Sequence, residues 1–461
     1  MRLLLCMILY LVGVIQAAPT TNTTTTSEDF EATSFTNRTL SNIISSSVLT
    51  IFACIYSAVH PNIPSPKDSP FCILRRRLGI MIVALIAPEL IVVWAMRQRI
   101  SARRVTKRFK KSRYFNVPRP QEQSENYELA GVPAEQLGDH DSTRLLVAPA
   151  YFSAQSEDYT WTQTHSFFVL MGGFMLYVDG EPYRTLWPND ILRLIRKGCI
   201  DAPTLTAKRI CDKSKGNVIS KGLIILQVAW FILQLITRAI YHLETTQLET
   251  GTLAFAVLNF LTYALWWNKP LDVQCPYPVY WKSTESEPED HIHAEDDIDA
   301  VSEDDEHNYV EVIVDAAFGP FMELTSIDVA TRQLRVPTFD GSLGVHGWDK
   351  WILTFAGILM ATIFGGIHGM AWFFAFPTNL ERLLWRISAV AITCTPWIEY
   401  LSYGISDVIA LGDMTSIAMI TFALLYIAGR VMLLVLMFTT LRHLPVDAYT
   451  TVSWISFVPH L

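Results

Sequence analysis

The sequence predicts an all-α polytopic transmembrane helical bundle of about six or seven spans with partly disordered cytoplasmic loops, on three observations. Of 461 residues, 51% are hydrophobic and only 17% charged, whereas soluble domains average about 25% charged. The stretch Lys221–Pro276 holds two apolar runs, Leu223–Tyr241 with Arg238 as its one charged residue and Thr252–Trp267 with none, each close to the roughly 20 residues a bilayer core requires. Further apolar runs occupy Leu78–Met96, Trp351–Phe376, Leu384–Tyr403 and Thr415–Leu441.

In chain order, residues 1–18 place Arg2 before the apolar run Leu3–Ile15 and end on Gln16-Ala17-Ala18, the layout of a signal peptide. Residues 19–42 form a Thr/Ser-rich tail with acceptor triplets at Asn22 and Asn37, which reads as glycosylated and extracytoplasmic. The N-terminal helices lie in 43–96. Ile43–Val59 is short and interrupted by Ser45-Ser46-Ser47, so it is read as a helix that does not cross. Leu78–Met96 is read as the crossing, with Pro88-Glu89 near its middle.

Residues 97–220 begin with nine Lys and Arg in the 17 positions Arg97–Arg113. Directly after a membrane helix such a run belongs in the cytoplasm, against anionic lipid headgroups rather than nucleic acid. Within the same segment Thr160–Val178 is apolar but broken by Gly172-Gly173, which predicts a re-entrant or packed helix. Leu186–Gly198 and Thr204–Lys213 predict two short amphipathic helices.

The transmembrane hairpin follows in 221–276. Gln227, Gln234 and Arg238 fall within about 20° of one line along its first helix, and that line is expected to face protein. The second helix ends in Trp266-Trp267-Asn268-Lys269-Pro270, where the indoles suit the headgroup zone, the lysine reaches water and the proline stops the helix. Residues 277–350 open with an acidic loop. Ser283–Glu311 holds 13 Asp and Glu and no Lys or Arg, so the net charge of −8 belongs to that loop and the remainder is basic. Disorder is expected there, then membrane-proximal pieces that include strand-like Tyr309–Val314 and Arg332–Val336. The C-terminal helices fill 351–441 and a tail fills 442–461.

The strings HPNIPSP (His60–Pro66), ALIAPELIVVWAMRQ (Ala84–Gln98), THSFFVLMGGFMLY (Thr164–Tyr177), SKGLIILQ (Ser220–Gln227), WFILQ (Trp230–Gln234) and LNFLTYALWWNKPLDVQCP (Leu258–Pro276) resemble a large group of uncharacterised integral membrane proteins of filamentous fungi. The resemblance covers Asn42 onwards. It implies a polytopic fold and a fungal source, and because the group has no assigned activity it carries no functional residue with it. The leader and tail read as additions to that group.

Chemistry has few footholds. GxSxG, HExxH, GxxxxGK[ST] and GxGxxG are all absent, which puts an intramembrane enzyme last. The seven cysteines show no CxxC spacing and are expected to be free thiols. His291, His293 and His307 in the acidic loop read as part of a solvated charge run rather than as a metal site. His368 in the string Gly365–Trp372 lacks partner histidines for haem, while Gly365 and Gly369 offer a face for close helix approach. No cofactor is expected.

Charges inside the runs are the leads, since each is costly at mid-bilayer unless paired or hydrated. Glu89, Arg238, His368, Glu399 and Arg430 qualify, and Arg430 is expected to pair with Glu89 or Glu399. The composition supports a multi-pass protein of the secretory-pathway or plasma membrane, acting as a sensor or scaffold with a protein partner. The alternative is a transporter or channel lined by the buried charges.

Overall fold

The computed structural model describes residues 35–112, 114–115, 160–214, 218–282, 334–344, 347–409 and 412–452. In chain order these form β1 (Phe35–Asn37), α1 (Leu40–Ala58), α2 (Pro70–Ile86), α3 (Pro88–Lys111), α4 (Gln163–Leu170), β2 (Phe174–Val178), β3 (Glu181–Thr185), α5 (Pro188–Arg196) and α6 (Ala207–Lys213). Then come α7 (Val218–Ile240), α8 (Gln247–Leu265), β4 (Tyr277–Tyr280), α9 (Trp348–Gly369), α10 (Asn379–Ile409), α11 (Gly412–Thr439) and β5 (Thr450–Val452). The leader, Asn22, the acidic loop with its histidines and Tyr309–Val314 lie outside the described residues. The chain is mostly helical, but two small sheets correct the all-α expectation.

Among the described residues four stretches are long and apolar enough to cross a membrane: Leu40–Ser57, Gln247–Leu265, Trp348–Phe373 and Ile420–Arg442. The first shows that the helix containing Ile43–Val59 is longer than the sequence reading allowed. Ser46 Oγ and Thr50 Oγ1 donate to the carbonyls of Ile43 and Ser46, so these hydroxyls are satisfied within the helix itself and do not bar an apolar surrounding. Leu78–Met96, in contrast, is not one straight helix. Ala87 leaves the helical region (φ −140°, ψ 67°), and α2 and α3 meet there at a bend of 114°. Pro88 supplies the cause, because its ring disfavours helical backbone at the preceding residue and it has no N–H to continue the ladder.

The central helix is α8, which packs on α1, α3, α9 and α11, whereas α7 lies mainly against α1. The hairpin at Lys221–Pro276 is therefore the sequence neighbour pair, not the main packing pair. Polar residues of α8 are satisfied locally: Thr252, Asn259 and Thr262 donate to the carbonyls of Leu248, Phe255 and Leu258. On α9 a Cβ at Gly365 would fall 2.1 Å from Thr393 Oγ1 of α10, while one at Gly369 would meet nothing within 4 Å. Only the first of the two glycines is used for close approach.

The bundle has two distinguishable ends. At the tail end β1 pairs antiparallel with β5, Phe35 opposite Val452 and Asn37 opposite Thr450. At the domain end α4, α5, α6 and the sheet β3-β2-β4 make a small α/β unit, with β2 antiparallel to β3 and parallel to β4. Thr160–Val178 is thus half helix and half strand. Asp179 and Gly180 both have positive φ (53° and 85°), the two-residue turn whose twist suits a hairpin. A Cβ at Gly173 would lie 2.3 Å from the Phe168 ring, so the helix-to-strand corner has no room for a side chain. Trp161, Phe109, Phe115, Phe168 and Phe174 fill the core between this unit and the end of α3.

Candidate functional site

Of the five charged candidates Glu89 and Arg430 bond directly, and His368 packs beside them. Arg430 Nη2 donates to Glu89 Oε2 at 2.5 Å, and Tyr426 OH, one turn earlier on α11, donates to Glu89 Oε1 at 2.6 Å. Glu89 sits in the first turn of α3, where the unpaired N–H groups of a helix start favour an anion. The Arg430 guanidinium lies 3.6 Å from the centroid of Phe364, and the His368 ring lies 4.5 Å from the same ring. His368 Nδ1 is 2.9 Å from the Phe364 carbonyl, and its own carbonyl accepts from Trp385 Nε1. His368 therefore packs and bonds locally without touching the carboxylate. The crevice beside it, lined by His368, Arg430, Phe364 and Leu85, encloses about 10 Å³, which is no more than a water requires.

Glu399 lies within electrostatic reach of Tyr426 but makes no direct bond to this cluster among the described residues. It is half-buried on α10, and among the described residues its carboxylate has no ion pair. Arg238 is at the tail end, buried and donating to the carbonyls of Glu244, Asp447, Ala448 and Thr450. Beside it Arg38 holds Glu249 through two bonds of 2.5 and 3.1 Å and reaches the Ala448 carbonyl at 2.7 Å. Glu249 also accepts from Thr246 N at 2.9 Å. Two guanidiniums and one carboxylate thus tie the N-terminal tail, the α7–α8 turn and the C-terminal tail together. Gln227 of the same helix face bonds Thr50 of α1 at 3.2 Å, whereas Gln234 is half-buried.

The site that sequence reasoning missed is centred on Lys269. The expectation that this lysine reaches water is corrected: it is 2% exposed and Trp266 is 0% exposed, while only Trp267 faces out at 62%. Lys269 Nζ donates to the His60 carbonyl (2.6 Å), Gln98 Oε1 (2.9 Å) and Asn62 Oδ1 (3.5 Å), and stands 4.5 and 5.0 Å from the Trp266 and Trp94 ring centroids. The physical reason is the neighbouring segment 334–344, which roofs the site. One carbonyl there, that of Asp340, accepts from Asn62 Nδ2 (3.1 Å), Trp94 Nε1 (3.1 Å) and Gln98 Nε2 (2.7 Å). Gly341 adopts φ 92°, and a Cβ on it would meet the Leu170 carbonyl at 2.8 Å. Gln98 Oε1 also accepts from Trp266 Nε1 at 3.0 Å.

Among the described residues Lys269 has no carboxylate partner. Burial pushes its pKa well below the usual lysine range, while three acceptors and two indole faces favour the ammonium form. The amides of Asn62 and Gln98 turn their oxygens to Lys269 and their nitrogens to Asp340, so the group acts as a fixed cation cage joining the α1–α2 connection, α3, the residues after α8 and the segment 334–344. Nearby, His165 Nδ1 accepts from Thr162 N (3.1 Å) and its Nε2 faces the Leu205 carbonyl (2.7 Å). That pattern assigns the neutral Nε2–H form, and burial lowers the histidine's pKa accordingly.

The part of the basic run from Arg97 to Lys111 continues α3 toward the α/β unit. Arg99 bonds the Ala264 and Leu265 carbonyls, Arg104 pairs with Asp349 and Arg108 bonds Asn189. Much of this charge is directed at protein. No group of three or more metal-binding side chains occurs among the described residues.

No curated protein matches the chain, and no solved structure does. Residues 4–292 match a family of unknown function, DUF8562. The match begins at residue 4 and so takes in most of residues 1–42. Covering well over half of its length, it shows that the chain belongs to that family.

Proposed function

We propose that the chain is a six-crossing membrane scaffold or sensor whose cytoplasmic α/β unit is locked to the bundle through Lys269. The crossings are α1, α7, α8, α9, α10 and α11, which alternate in direction between the two ends. Pairing of β1 with β5 supports an even number, because it requires both tails on one side. The α2–α3 pair, reversed at Ala87, enters from the domain end and returns to it. With the leader directing the tail outward, Arg97–Arg113 then stays inside, in keeping with the positive-inside rule. A single crossing, α1, separates the two.

The observation that carries the scaffold reading is the Lys269 cage, which spends a buried cation on joining a soluble unit to membrane helices. The crevice beside His368 is too small for a substrate. Amide exchange on the reconstituted full chain tests the reading. Lys269→Met is expected to raise exchange together in residues 334–344 and 160–213 while leaving α9–α11 protected, and ion-loaded vesicles carrying the protein are expected to hold their gradient. Gradient collapse that depends on Glu89 would overturn it in favour of a second reading, a transporter. One observation favours that second reading: Glu89 lies at the start of a half-helix deep in the bundle, as substrate-site residues of broken-helix transporters do.

A further inference from the structure

We propose that Glu399 and Tyr426 form a proton relay that carries protons from the domain end of the bundle to the buried Glu89–Arg430 pair and no further. The inference rests on the membrane reading above and gives its sensor a stimulus. An ionisable side chain turned into a membrane bundle is costly unless it is paired or put to use, and Glu399 is turned inward. It stands 4, 7, 11 and 14 residues after Thr395, Ile392, Ser388 and Trp385, which are all buried, and so shares their face of α10. Exposed Val390 and Leu401 lie on the opposite side.

No cation answers this carboxyl. Among the described residues Glu399 has no ion pair, and the sequence from Glu399 to Gly429 contains no Lys, Arg or His. Ring contacts of Trp351 with Tyr400 (6.4 Å) and of Phe355 with Trp397 (6.3 Å) set Glu399 level with the first two turns of α9, at the domain end. Of the titratable groups described on the helices packed against α10, Asp349 of α9 is held by Arg104, Arg430 of α11 is held by Glu89, His368 bonds Phe364 and Lys350 is engaged elsewhere. On α10 itself Cys394 is exposed and Tyr400 packs on Trp351. Tyr426 of α11 remains, and it lies within electrostatic reach of Glu399.

Tyr426 links the two carboxyls. Its hydroxyl donates to Glu89 Oε1 at 2.6 Å, which leaves the hydroxyl oxygen able to accept. Helices α10 and α11 run antiparallel, with Glu381 against Arg442 and Ile392 where a Cβ on Gly429 would fall, so Glu399 sits roughly one to two turns from Tyr426 toward the domain end. A rotamer change of Glu399 with one intervening water closes that distance. A proton then leaves Glu399 for the Tyr426 oxygen as the Tyr426 hydroxyl proton moves to Glu89. One O–H bond breaks on Glu399 and one forms on Glu89, the tyrosine ends neutral, and the negative charge has moved to Glu399. Arg430 thereby loses its counter-charge, so the α3–α11 contact becomes acid-sensitive. Beyond Arg430 the path stops, because the inward residues of α11 toward the tail end are Leu433, Leu436 and Met437.

Time-resolved infrared absorption of the full chain in lipid vesicles after a drop in pH tests this, with Glu399→Gln and Glu89→Gln assigning the carboxylic-acid bands. In wild type the Glu399 band is expected to appear first and the Glu89 band to follow. Glu399→Gln is expected to slow the Glu89 band at least tenfold, and Glu399→Asp, which keeps an acid, to restore part of the rate. Tyr426→Phe is expected to keep the Glu399 band and lose the fast rise at Glu89. A Glu89 band that rises equally fast in Glu399→Gln overturns the relay, as does the absence of either acid band in wild type. A vesicle pH gradient that collapses only while Glu399 is present overturns the dead end at Arg430. Carbonate extraction of wild-type membranes separates the outcomes: release of the chain sinks the membrane reading itself, whereas retention with an unchanged Glu89 rate sinks only the relay.

Discussion

Arg430 of α11 and Glu89 of α3, 341 residues apart in sequence, meet at 2.5 Å with both side chains almost fully buried. Removing one partner leaves the other as an uncompensated buried charge, which costs about 3–5 kcal/mol. Arg430→Leu or Glu89→Leu alone is therefore expected to lower the Tm in detergent markedly, and the double change to recover part of the loss. A double-mutant cycle measures the coupling. Simple additivity would mean that the two charges act independently, and would move the transporter reading ahead.

Lys269 gives a pH dependence of defined sign. Its folded pKa is depressed below 10.5 by burial, so between the folded value and 10.5 the unfolded chain binds more protons than the folded one, and stability rises with pH across that window. Tm measured at several pH values up to about 10.5 is expected to climb in wild type relative to Lys269→Met, in which this contribution is gone. Parallel curves for the two proteins would refute the depressed pKa. At neutral pH the Met variant removes the Lys269 donor from the His60 carbonyl and from Gln98 Oε1, which keeps Trp266 Nε1, and is expected to lose about 1–3 kcal/mol.

Labelling from the two sides of sealed vesicles checks the crossing pattern. A cysteine at His242, in the α7–α8 turn, and one at Asn189, at the start of α5, are expected to react from opposite sides, measured against the wild-type background. Reaction of both from the same side would end the six-crossing arrangement.

The tail predicts a glycan. N-glycosidase treatment in the native host is expected to increase gel mobility, and replacing Asn22 and Asn37 together with Gln to abolish the change. A protein whose mobility ignores the enzyme would argue against an exported tail.

What could be read in the sequence was what short-range chemistry decides. The apolar length of α8 and the depth of Glu89 and Arg430 in their runs were plain, because mid-run charges must find each other or water. Pro88 was visible too, yet a proline mid-run reads equally as a kink or a reversal, and only packing of α2 against α3 selects the 114° bend. The β2–β3 hairpin had a signal that went unused, Asp179-Gly180 between two β-prone stretches. Lys269 had none: after two tryptophans at a helix end a lysine ordinarily snorkels, and the acceptors that bury this one come from residues 60, 62 and 98, with the roof from 340. No local rule anticipates a cage assembled from four distant segments.

The pairing of β1 with β5 also sets an order of events in biosynthesis. Helix α1 is made early, but Arg38 has no Glu249 until α8 is made, and neither Arg38 nor Arg238 has its C-terminal carbonyl acceptors until residues 447–450 leave the ribosome. The clasp that joins β1 to β5 therefore forms only after every helix described above has been made. A chain that stops short of it would hold two arginines beside the membrane with open donors, a mark by which cellular surveillance could tell a fragment from a finished protein.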